Sequence, residues 1–457
     1  MQLGNAPAPE SGKRVFAHRE IWITAILGLA FLWLAVRFLL FVHRRAVNIF
    51  FGDQWFYLIP VFDHQSWWQM FRWRHGPHRQ GLGLLLDWAL LSATRWDSRA
   101  ESYLVAGILL AAAIAAVLLK RRALGQLDWS DIAILLIFVN LMTYESLLGV
   151  PNPSHSALPA LLTLLLCAAW TLPHILWRYS LVLTLNFLLV YTGFGLLMGP
   201  VTIAVFLGEL ALAIHNREGR KAITGAAIAS GIALLSFASF FVGYQLAYPS
   251  QHLNAQVTDD TSRVAYAALI VANFFRMKVE LRGAQMAALL LLALMVAVLM
   301  IHVLRCLRAP VSERNLHRTI VILLGFSLLF CFVAALGRAH FGIQSAQSSR
   351  YIPYAALGVL ALYLHFRSSR KSAAEIAVWV LAVAAFFGSQ KLSFLDRGTI
   401  YWLSEGKKEW RACYLETASV EECDRRTSNI DFRLTPTPEV LPPRLEMLRA
   451  KKLNLYK

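Results

Sequence analysis

The residue in this sequence best placed for proton chemistry is Asp53, in the run Gly52-Asp53-Gln54-Trp55-Phe56-Tyr57 that follows the first apolar segment. A carboxylate at the level where lipid headgroups meet water, followed by aromatics, is partly desolvated and could withdraw a proton from a hydroxyl. The plainer roles for such a residue are capping a juxtamembrane helix or pairing with Arg44 or Arg45. Further along the same loop, Trp73-Arg74-His75-Gly76-Pro77-His78-Arg79 gathers imidazoles and guanidiniums around a Gly-Pro pair. Proline is favoured in the first turn of a helix, so this pattern predicts a helix over residues 78–96 with His78 and Arg79 at its positive end and His75 just before it. Free amides, a helix dipole and a guanidinium would converge there as an anion site, although ordinary headgroup contact would use the same groups. The loop also holds Trp55, Trp67, Trp68, Trp73, Trp88 and Trp96, an interfacial aromatic belt more readily than a set of sugar-stacking platforms.

A second polar run, Gly337-Arg338-Ala339-His340-Phe341-Gly342 through Ser348-Ser349-Arg350-Tyr351, has arginines, a histidine and serines with no acid. Such a turn suits a phosphate or pyrophosphate, with Arg338 and Arg350 as ligands and His340 and Tyr351 beside them. Arginines snorkelling to lipid phosphates from helix ends are the alternative. A third run, 245–282, carries Asp259, Asp260, Arg263, Arg276, Lys278 and Arg282 around an amphipathic helix that reads as a lid over a lipid substrate or, more simply, as a cover for the helix bundle. Glu145 is an acid near the outer end of an apolar span, a position given to function or to a helix-to-helix hydrogen bond.

The elements that must hold these groups are membrane helices. With 57% hydrophobic and 16% charged residues over 457 positions, the chain is too apolar for a soluble protein of its length. The net charge of +17 would suggest nucleic acid in a soluble protein; here it points to cytoplasmic loops, anionic headgroups and phosphate ligands, with no nucleic-acid partner. Apolar spans fall at about 21–42, 100–119, 131–148, 157–177, 180–198, 201–214, 222–244, 284–304, 319–336, 352–365 and 373–387. Positive residues cluster on alternate loops, at Lys13/Arg14/Arg19, Lys120/Arg121/Arg122, Arg178, Arg217/Arg220/Lys221, Arg305/Arg308/Arg314/Arg318 and Arg367/Arg370/Lys371, while the turns 149–156 and 199–200 have none. That alternation predicts eleven crossings with a cytoplasmic N-terminus, and it makes 82–96 and 264–275 external helices lying on or dipping into the outer leaflet.

The expected fold is therefore an all-α polytopic membrane protein. It comprises a membrane domain over 1–389, whose external loop 43–99 contains horizontal helices, and a small periplasmic tail over 390–457. Cys413 and Cys423 are the cysteines of that tail, close enough to form a disulfide in an oxidising compartment; Cys167, Cys306 and Cys331 sit in or beside apolar spans as packing residues. Internal repeats, P-loops, GxGxxG, HExxH and paired CxxC motifs are absent, and the cytoplasmic loops are short, so chemistry belongs to the external face.

Asp53 in the first external loop, the horizontal helices there, the His75-Gly76-Pro77-His78-Arg79 run, and Gly337-Arg338 followed by Ser349-Arg350-Tyr351 together resemble the bacterial GT-C superfamily of integral-membrane glycosyltransferases. The motifs cover about a sixth of the chain; the rest of the match is hydropathy. The resemblance implies a polyprenyl-phosphate-linked sugar donor, a glycan or lipid acceptor, an active site on the periplasmic face of the inner membrane, Asp53 as the base, and Arg79, Arg338 and Arg350 as phosphate ligands. Better-known members carry a paired acid at the base, whereas this chain has Gly52 before Asp53 and Gln54 after it. No cofactor is implied, and a divalent metal is compatible but not indicated. Two other classes use the same external cations: a transporter or flippase for an anionic lipid or glycan, and a ligase or polymerase that moves whole glycans.

Overall fold

The computed structural model describes residues 10–244, 262–281, 283–310, 313–369 and 371–457, and about 80% of the structure is helical. Asp259, Asp260, Arg282 and Arg370 lie outside the described residues. Helix α1 (Glu10–Arg45) leads into a loop of short helices, α2 (Gln54–Tyr57), α3 (Ile59–Phe62) and α4 (Trp67–Arg72). A hairpin of β1 (Arg74–His75) and β2 (His78–Arg79) follows, then α5 (Gly81–Thr94). The bundle continues through α6 (Ser98–Leu124), α7 (Ile132–Phe138), α8 (Ala157–Trp170), α9 (Ile175–Val190), α10 (Met198–His215) and α11 (Arg220–Ser239). After α12 (Arg263–Phe274) come α13 (Ala284–Arg308), α14 (Arg314–Arg338), α15 (Ile352–Ser368) and α16 (Ser372–Gln390), and the chain closes with α17 (Phe394–Thr417), α18 (Val420–Arg426) and α19 (Leu441–Ala450).

Among the described residues, seven helical stretches are long and apolar enough to cross a membrane: Arg19–Arg45, Ser98–Leu124, Gly193–His215, Arg220–Ser239, Ala284–Arg308, Arg314–Phe341 and Ser372–Thr417. Their ends follow local chemistry. In α6, the Asp97 side chain accepts the Arg99 N–H at the start, and the helix stops at Gly125, whose φ of +79° forms a left-handed cap beside Arg121 and Arg122.

Three hydrophobic clusters hold the described residues together, the smallest around Phe71, Val190, Tyr191 and Phe240. The largest runs through the helix bundle; the second joins loop 43–99 to the C-terminal segment, bringing Trp55, Tyr57, Leu84 and Trp96 against Trp410, Phe432, Leu441 and Leu455. Backbone and amide bonds lock the two halves of this cap together. Gly52 N–H donates to Leu434 O at 2.9 Å, Asn48 Nδ2 to Asn454 O at 2.8 Å, and Asn454 Nδ2 to Trp96 O at 2.8 Å. Residues 390–457 thus pack with the loop that carries Asp53 instead of hanging apart from it. Cys413 and Cys423 are joined, as their spacing suggested, tying α17 to α18 with their Cα atoms 5.6 Å apart.

Three local expectations are corrected. His78 and Arg79 do not open a helix: they form β2, paired with β1 so that His75 faces His78 and Arg74 faces Arg79. Gly76 at φ +63° followed by Pro77 makes a two-residue hairpin turn, because only glycine takes that first position without strain, and the helix begins later, at Gly81. The span expected over 131–148 is broken: α7 ends at Phe138, and one turn each of 3-10 helix (Leu141–Thr143) and π helix (Glu145–Gly149) follow. Asn140 causes the break by accepting the Met142 N–H on its side chain, and Gln390 Nε2 donates to the freed Val139 carbonyl. Finally, α12 is not a surface helix. Its residues from Ala265 to Phe274 are buried against α13, α14 and α15, since its circumference is apolar and offers water no polar face; its buried Asn273 side chain donates to Gln347 O at 2.9 Å.

Candidate functional site

Asp53 stands at the N-terminal end of α2, but its carboxylate makes no capping hydrogen bond, and neither Arg44 nor Arg45 is bonded to it. The side chain is 54% exposed and turns instead toward His75, with Oδ2 3.8 Å from Nε2. That separation makes an ion pair when the imidazole is protonated and leaves both carboxylate oxygens open to a further donor. His75 holds the Asp53 carboxyl below its ordinary range by this contact; partial burial opposes the shift, and the charges of His75, His155 and Arg350 reinforce it.

The shelf beneath Asp53 is built on a buried acid that the sequence did not single out. Glu101, at the start of α6, accepts Gln54 Nε2 at 2.8 Å on one oxygen and lies 3.0 Å from the Tyr57 hydroxyl on the other. Tyr57 also lies 3.0 Å from the Pro151 carbonyl, so α2 is bolted to α6 and to the turn before α8. From α17, Lys407 reaches the same turn, donating to Leu148 O at 2.6 Å and Gly149 O at 2.9 Å.

Three imidazoles meet beside this shelf. The hairpin supplies His75 and His78, and the turn before α8 supplies His155, whose ring is stacked 6.3 Å from His75 and lies edge-on 5.3 Å from His78. His78 is buried against Phe194, with ring centroids 4.1 Å apart; burial pushes its pKa down to about 3, with Arg338 and His75 adding repulsion, so it packs as a neutral core side chain. Burial, then His78 and His75, likewise holds His155 well below the ordinary histidine range.

The cations of the 337–351 turn face the same corner. Arg338 and Arg350 each lie 5.8 Å from the buried Tyr351 ring, one aromatic platform shared by two guanidiniums. Arg350 is oriented by a short chain: its Nε donates to Ser348 Oγ at 3.0 Å, and Ser348 donates in turn to the Glu145 carboxylate. The Glu145 N–H donates to Ser349 Oγ at 2.9 Å, so the break in the 131–148 segment clamps this turn. Glu145 is therefore a positioning residue for Arg350. His340 packs on Phe341, with ring centroids 4.0 Å apart.

Arg79 is placed elsewhere. It lies against the Tyr191 and Phe240 rings and donates to the carbonyls of Phe240, Val242 and Arg72, fastening the hairpin to the end of α11. With four of its hydrogen bonds committed to backbone oxygens, it is part of the scaffold, and the positive side of the site rests on Arg338 and Arg350. Among the described residues, no group of three or more His, Cys, Asp or Glu side chains is arranged to hold a metal ion.

His155, Gln80, Asn152 and Glu101 belong to the site or its support and were not apparent in the sequence. The one available signal was that the turn 149–156, free of lysine and arginine, carries Asn152 and His155. The arrangement combines an open carboxylate beside His75, the neutral imidazoles of His78 and His155, and paired guanidiniums on an aromatic ring, which is suited to deprotonating a hydroxyl close to a bound anion. No family model matches this chain, and no curated protein matches it.

Proposed function

We propose that this protein is an inverting glycosyltransferase that moves a sugar from a polyprenyl-phosphate donor to a glycan or lipid acceptor on the periplasmic face of a bacterial inner membrane. The observation that carries the reading is the Asp53 carboxylate: exposed, free of capping and arginine partners, held ionised beside His75, and close enough to Arg350 to feel its charge. In the proposed reaction Asp53 takes the proton of the acceptor hydroxyl as that oxygen attacks the anomeric carbon. The bond from that carbon to the phosphate oxygen breaks on the opposite face, and the phosphate leaves on its polyprenyl chain. Arg338 and Arg350 stabilise the charge that grows on the leaving oxygen. The resemblance to the GT-C superfamily supports the donor class. The seven long apolar stretches, taken with the shorter helices α7, α8, α9 and α15, are read as eleven crossings, with the N-terminus in the cytoplasm and the cap of loop 43–99 and residues 390–457 outside.

The test is modification of cell-surface glycan in a strain lacking the protein and complemented with variants, alongside donor binding to purified protein. Arg338→Ala and Arg350→Ala remove charge from a ground-state phosphate contact, so both donor binding and turnover should fall by at least about tenfold. A transporter would need the same arginines but would keep full activity as Asp53→Asn, which the transferase would not.

A further inference from the structure

The protonation of His155 can be read from a chain of hydrogen bonds that begins at a group with no choice. The backbone N–H of Ser154 can only donate, and it donates to Asn152 Oδ1 at 2.9 Å. The other end of that amide is therefore the NH2, which donates to Gln80 Oε1 at 2.9 Å. This leaves Gln80 Nε2 as a donor, and its partner, 3.3 Å away, is His155 Nε2, which must accept. An uncharged imidazole that accepts at Nε2 carries its single proton on Nδ1.

The backbone around the ring is equally constrained. Ser154 Oγ donates to the Gln80 carbonyl, and the Tyr354 hydroxyl donates to the His155 carbonyl, each at 2.5 Å. The ring lies beside His75 and His78, and the titratable or charged groups acting on it are those two histidines, Asp53 and Arg350. Asp53 favours a second proton on His155, while burial, His75, His78 and Arg350 oppose it. Among the described residues, no protein acceptor takes the Nδ1 proton.

We propose that His155 is a substrate-contacting residue of the Asp53 site, kept uncharged and protonated on Nδ1 by Asn152 and Gln80, and that its N–H donates to a hydroxyl oxygen of the transferred sugar. The proposal rests on the transferase reading. A neutral donor fixes direction without adding charge, which suits a hydroxyl, whereas the phosphate has Arg338 and Arg350. The sugar is the part of the donor that must lie beside Asp53, where its anomeric carbon reacts.

The experiment uses full-length protein in nanodiscs with 15N-labelled histidine, His155 being assigned by the signal lost in His155→Asn. The expected spectrum shows Nδ1 protonated and Nε2 bare from pH 8 to pH 5. In Gln80→Glu a carboxylate replaces the donating amide, so Nε2 should become protonated in the same range. Binding is then measured for decaprenyl phosphate and for decaprenyl phosphate carrying glucose, mannose or galactose. His155→Ala and His155→Gln should lose about tenfold for the sugar-bearing donor that wild type binds best, with no change for decaprenyl phosphate alone. His155→Asn, whose amide can place an N–H near the Nδ1 position, should retain most of that binding. A proton on Nε2 in the wild type, or equal losses for both kinds of ligand, would overturn the proposal. If none of the sugar-bearing donors binds better than decaprenyl phosphate, the contact is refuted together with the transferase reading. If they bind and react normally in His155→Ala, only the role of His155 falls.

Discussion

The ionisation of Asp53 depends on its neighbours, and that dependence can be titrated. Because His75 is the largest cause of its lowered pKa, the acid limb of the activity profile should lie below the ordinary carboxylate range in the wild type. In His75→Ala that limb should move upward, with Asp53 protonating at higher pH; an unmoved limb would separate His75 from the base. His78 makes the opposite kind of contribution. It is neutral in the folded protein down to about pH 3, whereas in the unfolded chain it takes up a proton near its ordinary value of 6.5. Unfolded protein therefore binds the extra proton between those values, and stability should fall as pH drops below about 6.5, by up to about 1.4 kcal/mol per pH unit. Melting temperatures of purified protein between pH 7 and pH 4 should show this slope, and His78→Phe should flatten it. Asp53, His75, Arg338, Arg350 and Tyr351 could be singled out in the sequence because they fall in short polar runs between apolar segments. His155, Gln80 and Asn152 could not, because their roles come from a hydrogen-bond register that sequence spacing does not reveal.

At the level of elements, the site depends on how closely α5 approaches the turn before α8. A Cβ added at Gly83 would stand 1.9 Å from Ser154 Oγ and 2.8 Å from Ser154 N, so the contact admits only glycine. Gly83→Ala should cost about 1 to 3 kcal/mol and lower turnover by displacing His155, whereas Gly107→Ala, with nothing within 4 Å of its new methyl group, should be neutral or slightly stabilising. Thermal melts and transfer assays on the two variants check this directly. The disulfide acts on the cap instead of the chemistry. Cys413→Ser should lower the stability of the α17–α18 unit by about 2 to 3 kcal/mol while leaving turnover at low temperature unchanged, as measured by melting with and without reductant. Apolar periodicity located the long helices well, since burial or lipid demands it. It failed at Gly76-Pro77, where turn chemistry outweighed the helix-start signal, and within 131–148, where Asn140 and Glu145 redirect backbone groups to partners far away in sequence.

Across the whole molecule, two distant stretches of sequence, 43–99 and 390–457, fold into one cap over the end of the helix bundle where Asp53, His155, Arg338 and Arg350 gather. Composition made the membrane character legible; the joining of loop and tail was not, because it depends on side-chain fit between segments more than 300 residues apart. The proposed topology places that cap outside the cytoplasm. A phosphatase active only outside the cytoplasm should therefore work when fused after Lys457 and fail when fused at Gly219. The central claim, that Asp53 is the base for sugar transfer, is tested most directly by Asp53→Asn in purified protein, which keeps size and hydrogen-bonding capacity but removes the basic oxygen. The account predicts donor affinity within about twofold of wild type and transfer reduced by roughly 100-fold or more; transfer at the wild-type rate by well-folded Asp53→Asn protein would contradict it.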